Sequence, residues 1–242
     1  MFSPEGPSLR ELAVQALSSV ERGYDLLAPK FDHTPFRTPD AVLAAVESAL
    51  RRTGPFDTGL DLCCGTGAGV GVLAGVCRER VVGVDFSAGM LGVARERVRP
   101  TGPAVSFVRA DARALPFGPA VFDLVVSFGA FGHFLPRELP GLFTQVRSVL
   151  RPGGRFAFPL VAPPRPGSLG YWTLLGFDTV MRVRNALWRP PFVMYYRAFR
   201  FGDVRRELAR AGFRVDLHAL PEFGRRRDGS PRVRLVVART PE

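Results

Sequence analysis

Residues 59–73 read "GLDLCCGTGAGVGVL": a short apolar run holding Asp61, then Gly65, Gly67, Gly69 and Gly71 at alternate positions. The stretch predicts a strand closed by Asp61, a tight turn through Gly65 and Gly67, and a helix beginning close behind it. Glycine leaves room there for a ligand to reach backbone N–H groups at the helix N-terminus. Glycines also serve ordinary packing, so this turn alone is a weak sign of a ligand; the neighbouring runs strengthen it. A second apolar run, "VVGVDF", carries Asp85, 20 residues after Gly65, where a carboxylate can accept both hydroxyls of a ribose. A third ends in Ala110-Asp111-Ala112 and a fourth in Ser127-Phe128-Gly129, so four consecutive strand ends carry residues of ligand-binding type.

Outward from this stretch the pattern is regular. "TGLDLC", "VVGVDF", "AVSFVRA", "FDLVVSF" and "GRFAFPL" are short, β-branched or aromatic, and lack polar alternation, as strands buried on both faces do. Between them "GVGVLAGVCRE", "SAGMLGVARERV" and "LPGLFTQVRSVL" have helical length and period. This alternation predicts a parallel sheet covered on both faces, with "RPGG" (151–154) as a turn from helix to strand. Near the C-terminus "DVRRELARAGF" reads as a helix capped by Asp203 and closed by Gly212, followed by two strands, "FRVDLHAL" and "VRLVVART", around the polar turn "RRRDGSP". At the N-terminus "SLRELAVQALSSVERGYDLL" opens on a Ser8/Glu11 capping box, and "TPDAVLAAVESAL" on Thr38 as N-cap with Pro39 behind it. The aromatic, proline-bearing "YDLLAPKFDHTPFR" joins the two.

The motifs together resemble those of the class I S-adenosylmethionine-dependent methyltransferases, in particular the small-molecule group with the quinone enzymes. The resemblance is strong over residues 57–160. It implies an α/β fold: a Rossmann-like, doubly wound, mostly parallel seven-stranded sheet with an antiparallel last strand, N-terminal helices and an inserted lid. It also implies S-adenosyl-L-methionine as cofactor. "LDLCCGTGAG" is similar to the family's first motif, with Asp61, Cys63, Gly65 and Gly67 along the methionine part. Cys63 departs from the pattern, standing where the usual motif has its first glycine. "VVGVDFSAGML" is similar to the second motif, with Asp85 on the ribose and Phe86 and Met90 beside the adenine. "VRADARALPF" is similar to the third, with Asp111 facing the adenine amino group and Ala112 its ring. Ser127 and Phe128 after the fourth strand, and Tyr24 of the N-terminal segment, complete the expected cofactor set.

Methyl transfer is expected to oxygen or nitrogen, and to carbon only after these; it is an in-line displacement, so positioning supplies most of the catalysis, and a base helps where the acceptor carries a proton. His133, after the fourth strand, lies where the family's acceptor enters; its alternative role is to bond a loop carbonyl. His33, in the aromatic N-terminal segment, is the second candidate base. Residues 163–200 break the α/β rhythm with prolines and with Tyr171, Trp172, Phe177, Trp188, Phe192, Tyr195, Tyr196 and Phe199, a density suited to a lid over an apolar or planar acceptor. The N-terminal stretch around Tyr24, Phe31 and Phe36 is expected to meet the stretch around Trp172 and Tyr195 above the methyl group. The 242 residues thus read as one methyltransferase domain: an N-terminal helical cover (1–56), a cofactor core (57–162), the lid (163–200), and a closing helix and strands (201–242).

Composition sets the outer bounds. With 46% hydrophobic residues the chain can bury a sizeable core, and no apolar run approaches the length of a membrane span. Cys63, Cys64 and Cys77 show no zinc or disulfide spacing, so reduced thiols in a cytoplasmic protein without a metal are expected, as monomer or homodimer. The net charge of +11 falls wholly on residues 151–242, which carry 18 basic and 7 acidic side chains. With a single lysine, Lys30, among 33 basic residues, this excess reflects codon bias as readily as an anionic partner. A small-molecule acceptor such as a secondary metabolite, quinone or lipid is the first reading. RNA is the second, disfavoured because Ser127-Phe128-Gly129-Ala130 lacks the Asn/Asp-Pro-Pro-aromatic motif of base methyltransferases. A non-catalytic cofactor-binding regulatory module is the third, and a lid closed down on no acceptor cavity would favour it. A dehydrogenase has no use for Asp111 or the turn at 151–154.

Overall fold

The computed structural model describes residues 5–99, 102–195 and 201–242. The chain opens with α1 (Leu9–Leu17), α2 (Val20–Leu27), a 3-10 turn (Ala28–His33) and α3 (Asp40–Arg51). Strands and helices then alternate: β1 (Phe56–Leu62), α4 (Ala68–Ala74), β2 (Cys77–Asp85), α5 (Ala88–Arg97), β3 (Ala104–Arg109), β4 (Phe122–Val126), α6 (Leu139–Val149) and β5 (Leu150–Val161). After β5 come α7 (Leu169–Leu187), α8 (Phe201–Arg210), β6 (Arg214–Ala219) and β7 (Val233–Arg239).

The seven strands form one sheet in the order β3-β2-β1-β4-β5-β7-β6. Neighbours among β1 to β5 pair in parallel, and β7 runs antiparallel between β5 and β6. The parallel part is what the alternation of runs predicts, and the whole is the Rossmann-like, seven-stranded sheet with an antiparallel last strand that the family resemblance implies. The chain steps outward from β1 to β2 and β3, then returns to lay β4 on the other side of β1. That reversal opens a crevice beyond the carboxyl ends of β1 and β4, the place where an open α/β sheet receives ligands.

Successive side chains of the central strands point to opposite faces of the sheet and are buried on both, which separates two cores. Leu60, Leu62, Val125, Phe156 and Phe158 face one side with Phe143 of α6 and Leu208 of α8. Val81, Leu124, Val126 and Ala157 face the other with Val46 of α3 and Leu73 of α4. Gly59 lets α4 approach, since a Cβ there would lie 2.8 Å from Cys77 Sγ and 3.0 Å from Leu73. A third, smaller cluster lies over the crevice and joins Tyr24 and Ala28 to Met90 of α5, Met181 of α7, and Phe192, Met194 and Tyr195.

Local structure departs from the sequence reading at five places. The first helix breaks in two, because Ser19 accepts from the Arg22 amide and starts α2 as a separate helix. α3 begins at Asp40 with Pro39 as its cap residue and no side-chain cap, so Thr38 does not hold the cap position. α4 stops at Ala74, and its sequel "CRE" already belongs to β2. The "RPGG" turn lies inside β5: the register jumps from Phe122↔Leu150 to Leu124↔Arg155, and Gly153 supplies the positive φ, +70°, of the excursion. α8 starts at Phe201, which puts Asp203 in its first turn. Tyr196 and Phe199 of the predicted lid lie outside the described residues.

Candidate active site

The loop after β1 is built on left-handed backbone at alternate positions: φ is +59° at Cys63, +51° at Gly65 and +90° at Gly67. The first of these explains the glycine usual at that place, and Cys63 takes up the conformation with a side chain on it. The Cys64 amide donates to Val84 O (2.9 Å) and the Gly65 amide to Asp85 Oδ2 (2.9 Å), so the loop is fastened to the end of β2. Asp85 Oδ1 accepts from the Ser87 amide at 2.9 Å. Each Asp85 oxygen thus holds a backbone donor, and the carboxylate, which lines the crevice, has acceptor capacity beyond these. A Cβ on Gly65 would meet nothing within 4 Å, which leaves bare backbone on the cavity side.

Asp61 is 1% exposed, and among the described residues neither of its carboxylate oxygens has a partner in good hydrogen-bond geometry, the Val70 amide being the one donor near enough to be felt. Burial pushes its carboxyl well above the usual carboxylate range; the nearby Asp85 adds to this and the Val70 amide offsets it in part. Gly69 admits this carboxylate, since a Cβ there would sit 2.4 Å from Asp61 Oδ2. A buried, unpartnered carboxylate is a seat for a cation. Burial likewise pushes up the thiols of Cys63 and Cys64, and that of Cys77 to about 12, so none is a thiolate nucleophile.

Above the loop lies a cavity of about 770 Å³, in the range of small-molecule sites. Ten of the fourteen cofactor and base candidates line it: Tyr24, Cys63, Gly65, Asp85, Phe86, Met90, Asp111, Ala112, Phe128 and His133. Four do not. Asp61 lies beneath the floor. Gly67 turns toward α5, where a Cβ would lie 2.7 Å from Val98. The Ser127 hydroxyl is spent on Leu62 O at 2.9 Å. His33 is exposed and lies 3.4 Å from Glu5. Of the remaining lining, Arg113, Arg137 and Glu138 form a charged rim; the rest is mainly apolar and comes from distant segments, among them Phe31, Phe36, Phe134, Leu174 and Val193.

Two polar groupings hold this wall. His133 Nδ1 lies 2.9 Å from Val193 O and Nε2 lies 2.9 Å from Tyr24 Oη. A carbonyl only accepts, so the Nδ1 position carries the hydrogen and Nε2 accepts the Tyr24 hydroxyl proton. Burial lowers the His133 pKa and keeps the ring neutral, with the Val193 carbonyl acting weakly against it. At the rim Arg113 grips both oxygens of Asp111 and reaches Glu138 Oε1 at 2.7 Å. That hydrogen-bonded guanidinium holds Asp111 below the usual carboxylate range. Any partner of Asp111 therefore shares its carboxylate with Arg113.

The sequence reading passed over the residues that fasten the N-terminal cover to this floor. Asp25 accepts from Ser87 Oγ (2.5 Å) and the Gly89 amide (2.9 Å) at the start of α5. Asp32 accepts from Thr66 Oγ1 at 2.6 Å in the glycine loop and pairs with Arg97. Glu21 pairs with Arg109. The available signal was sparse: Asp25 and Asp32 are the only carboxylates between residues 22 and 39, and nothing local names their partners. Of the predicted aromatic meeting, Tyr24 stacks on Phe192 (centroids 6.2 Å, 18°) and Tyr195 is buried in the same cluster, whereas Trp172 faces solvent.

Comparison with known proteins adds to this geometry. Residues 60–154 match the family described as "Methyltransferase domain". The chain is 36% identical over 146 residues to demethylmenaquinone methyltransferase of Thermus thermophilus, covering 58% of this chain and 61% of that one. It is 32% identical over 176 residues to 2-phytyl-1,4-naphtoquinone methyltransferase of Nostoc punctiforme, covering 67% and 74%. The first curated relatives are matched over about half to three-fifths of their length. In fold the chain is similar to magnesium protoporphyrin IX methyltransferase of Synechocystis with bound SAH, at 20% identity and a TM-score of 0.55, over 82% of this chain and 81% of that one.

Proposed function

The chain belongs to the class I S-adenosylmethionine-dependent methyltransferases, in their quinone-type group, and on that premise we propose that it methylates an oxygen or nitrogen of a small, largely apolar, hydroxylated ring acceptor in the cytoplasm. The observation that carries this reading is the cavity: largely apolar walls stand over four strand ends behind a charged rim of Arg113, Arg137 and Glu138, with the Tyr24–His133 pair set into the wall. An open cavity of this size favours catalysis over a purely regulatory module.

The residues present fit S-adenosylmethionine. Asp61 would take the cationic amino group that its orphaned carboxylate lacks, Asp85 the two ribose hydroxyls through its free lone pairs, and Phe86, Met90 and Ala112 the adenine faces. When bound, the cofactor supplies an electrophilic methyl on a sulfonium. The protein holds the acceptor against the apolar wall and excludes water. Tyr24 Oη would accept the acceptor's hydroxyl proton as its own passes to His133 Nε2, while the Val193 carbonyl fixes the tautomer.

The test is transfer of tritium from labelled S-adenosylmethionine to hydroxylated naphthoquinols and phenols, with bulk RNA alongside. Labelled apolar product, lost in Asp85→Ala together with about 1.5 to 3 kcal/mol of cofactor affinity by calorimetry, is the expected outcome. Label in RNA alone would overturn the acceptor assignment, and unchanged binding by the variant would overturn the ribose assignment.

A further inference from the structure

Helix α7 turns an uncharged face outward. Leu169, Trp172, Val180, Val183 and Leu187 recur at helical spacing within an arc of about 80°. They are 85%, 56%, 64%, 52% and 80% exposed, over a length of about 28 Å. The opposite face, with Asp178 and Met181, is buried against the protein. The stripe continues sideways: Trp188 Nε1 donates to Leu17 O, which brings the half-exposed Val14 and Leu17 of α1 alongside. Single exposed apolar residues are ordinary, but a continuous row along a whole helix is not.

Arginine frames this row. Arg165 and Arg189 flank it in sequence, whereas Arg182 turns inward over the Tyr195 ring, 4.5 Å from its centroid. Arg226 donates to Pro163 O and so draws the turn with Arg225 and Arg227 to the start of α7. Among the described residues none of the five arginines of this frame is within ion-pair distance of a carboxylate, although Asp228 lies near enough to Arg165 and Arg226 to feel their charge. A second copy of the chain on this face would set one arginine frame near another. Anionic headgroups complement the frame, and acyl chains complement the stripe. Among the described residues no helix is long and apolar enough to cross a membrane, so the helix would lie on the bilayer.

We propose that the α7 face docks the protein on an anionic lipid bilayer. The docked helix is also a wall of the cavity, through Leu174 on its inner side, with Pro191 and Val193 following. An acceptor dissolved in the bilayer then enters without crossing water; this consequence, unlike the docking itself, rests on the methyltransferase reading.

Trp172 and Trp188, the chain's only tryptophans, report directly on the face. With vesicles of equal parts phosphatidylglycerol and phosphatidylcholine, their emission shifts to the blue and is quenched by brominated acyl chains, and the protein co-sediments. Vesicles of phosphatidylcholine alone bind about tenfold more weakly, as does Val180→Asp/Val183→Asp with the anionic vesicles. Arg225→Glu/Arg227→Glu, which leaves the stripe whole, weakens binding in the same direction and keeps the test independent of one variant's folding. No emission shift with anionic vesicles, or equal binding by both double variants, overturns the proposal. So does a concentration-dependent dimer that Val180→Asp/Val183→Asp abolishes while vesicles leave the emission unmoved.

Discussion

A carboxylate held in a packed core with neither oxygen bonded, as at Asp61, works against the fold that carries it. Its pKa is raised on folding, so between the unfolded value near 4 and the raised folded value the native state binds more protons than the unfolded one. Stability of the ligand-free protein therefore falls as pH rises through that window and recovers on acidification. Asp61→Asn removes this slope and is expected to stabilise the ligand-free protein by about 1 to 3 kcal/mol at neutral pH, while weakening S-adenosylmethionine binding. Thermal melts of both proteins across pH decide it; Asp85, whose burial shifts it in the same direction, leaves a smaller slope of the same sign in the variant. The Tyr24–His133 pair carries the complementary expectation. Tyr24→Phe leaves the apolar wall and deletes the proton acceptor, so kcat falls about 100-fold with cofactor affinity little changed. In the wild type, protonation of His133 Nε2 ends its acceptance from Tyr24. The rate is thus level above an inflection and drops on acidification through it, and the inflection lies below the ordinary histidine value, which burial of the ring has lowered.

Among the elements, the central strands and the glycine loop were legible in the sequence because each is decided locally. A strand buried on both faces must be continuously apolar, and a turn that crosses to left-handed backbone at Gly65 and Gly67 selects glycine. What could not be read was decided by distant residues. Ser127 has ligand-type chemistry at a strand end, yet its hydroxyl turns to Leu62 O; Gly67 belongs to the turn, yet α5 rather than the ligand fills the space beside it. The cover's attachments were hidden for the same reason, since Asp25 finds its partners 62 and 64 residues away. There it acts as a second cap on α5 beside Ser87, whose own side chain takes the Met90 amide. Asp25→Ala is expected to cost about 0.5 to 2 kcal/mol of stability. Because α5 carries Met90 into the cavity, the same change raises the KM for S-adenosylmethionine, whereas an exposed substitution such as Glu79→Ala on β2 leaves both unchanged.

For the whole molecule, the two faces of the sheet form large buried clusters, while the cover closes over the crevice on a smaller one built from three separated stretches of chain. Its polar ties to the floor run from Asp32 to Thr66 and Arg97, from Asp25 to Ser87 and Gly89, from Tyr24 to His133 and from Glu21 to Arg109. Segments with few apolar contacts open first, at a free energy below that of global unfolding. A molecule filling the crevice adds contacts that the open form lacks, and so suppresses opening by its differential affinity for the closed one. Arg22 in α2 and Arg37 after the 3-10 turn bracket the segment that would open. Saturating S-adenosylhomocysteine should therefore slow trypsin cleavage after both, by a factor that grows with ligand concentration as 1 + [L]/Kd while opening stays fast relative to cleavage. Mass mapping of the first cuts, with and without ligand, distinguishes this from general stabilisation, since an exposed bond outside the cover, after Arg205 in α8, serves as the internal control. Equal rates at Arg22 and Arg37 in both conditions would show that the cover does not respond to the crevice, and would leave acceptor selection to the rim and the α7 wall.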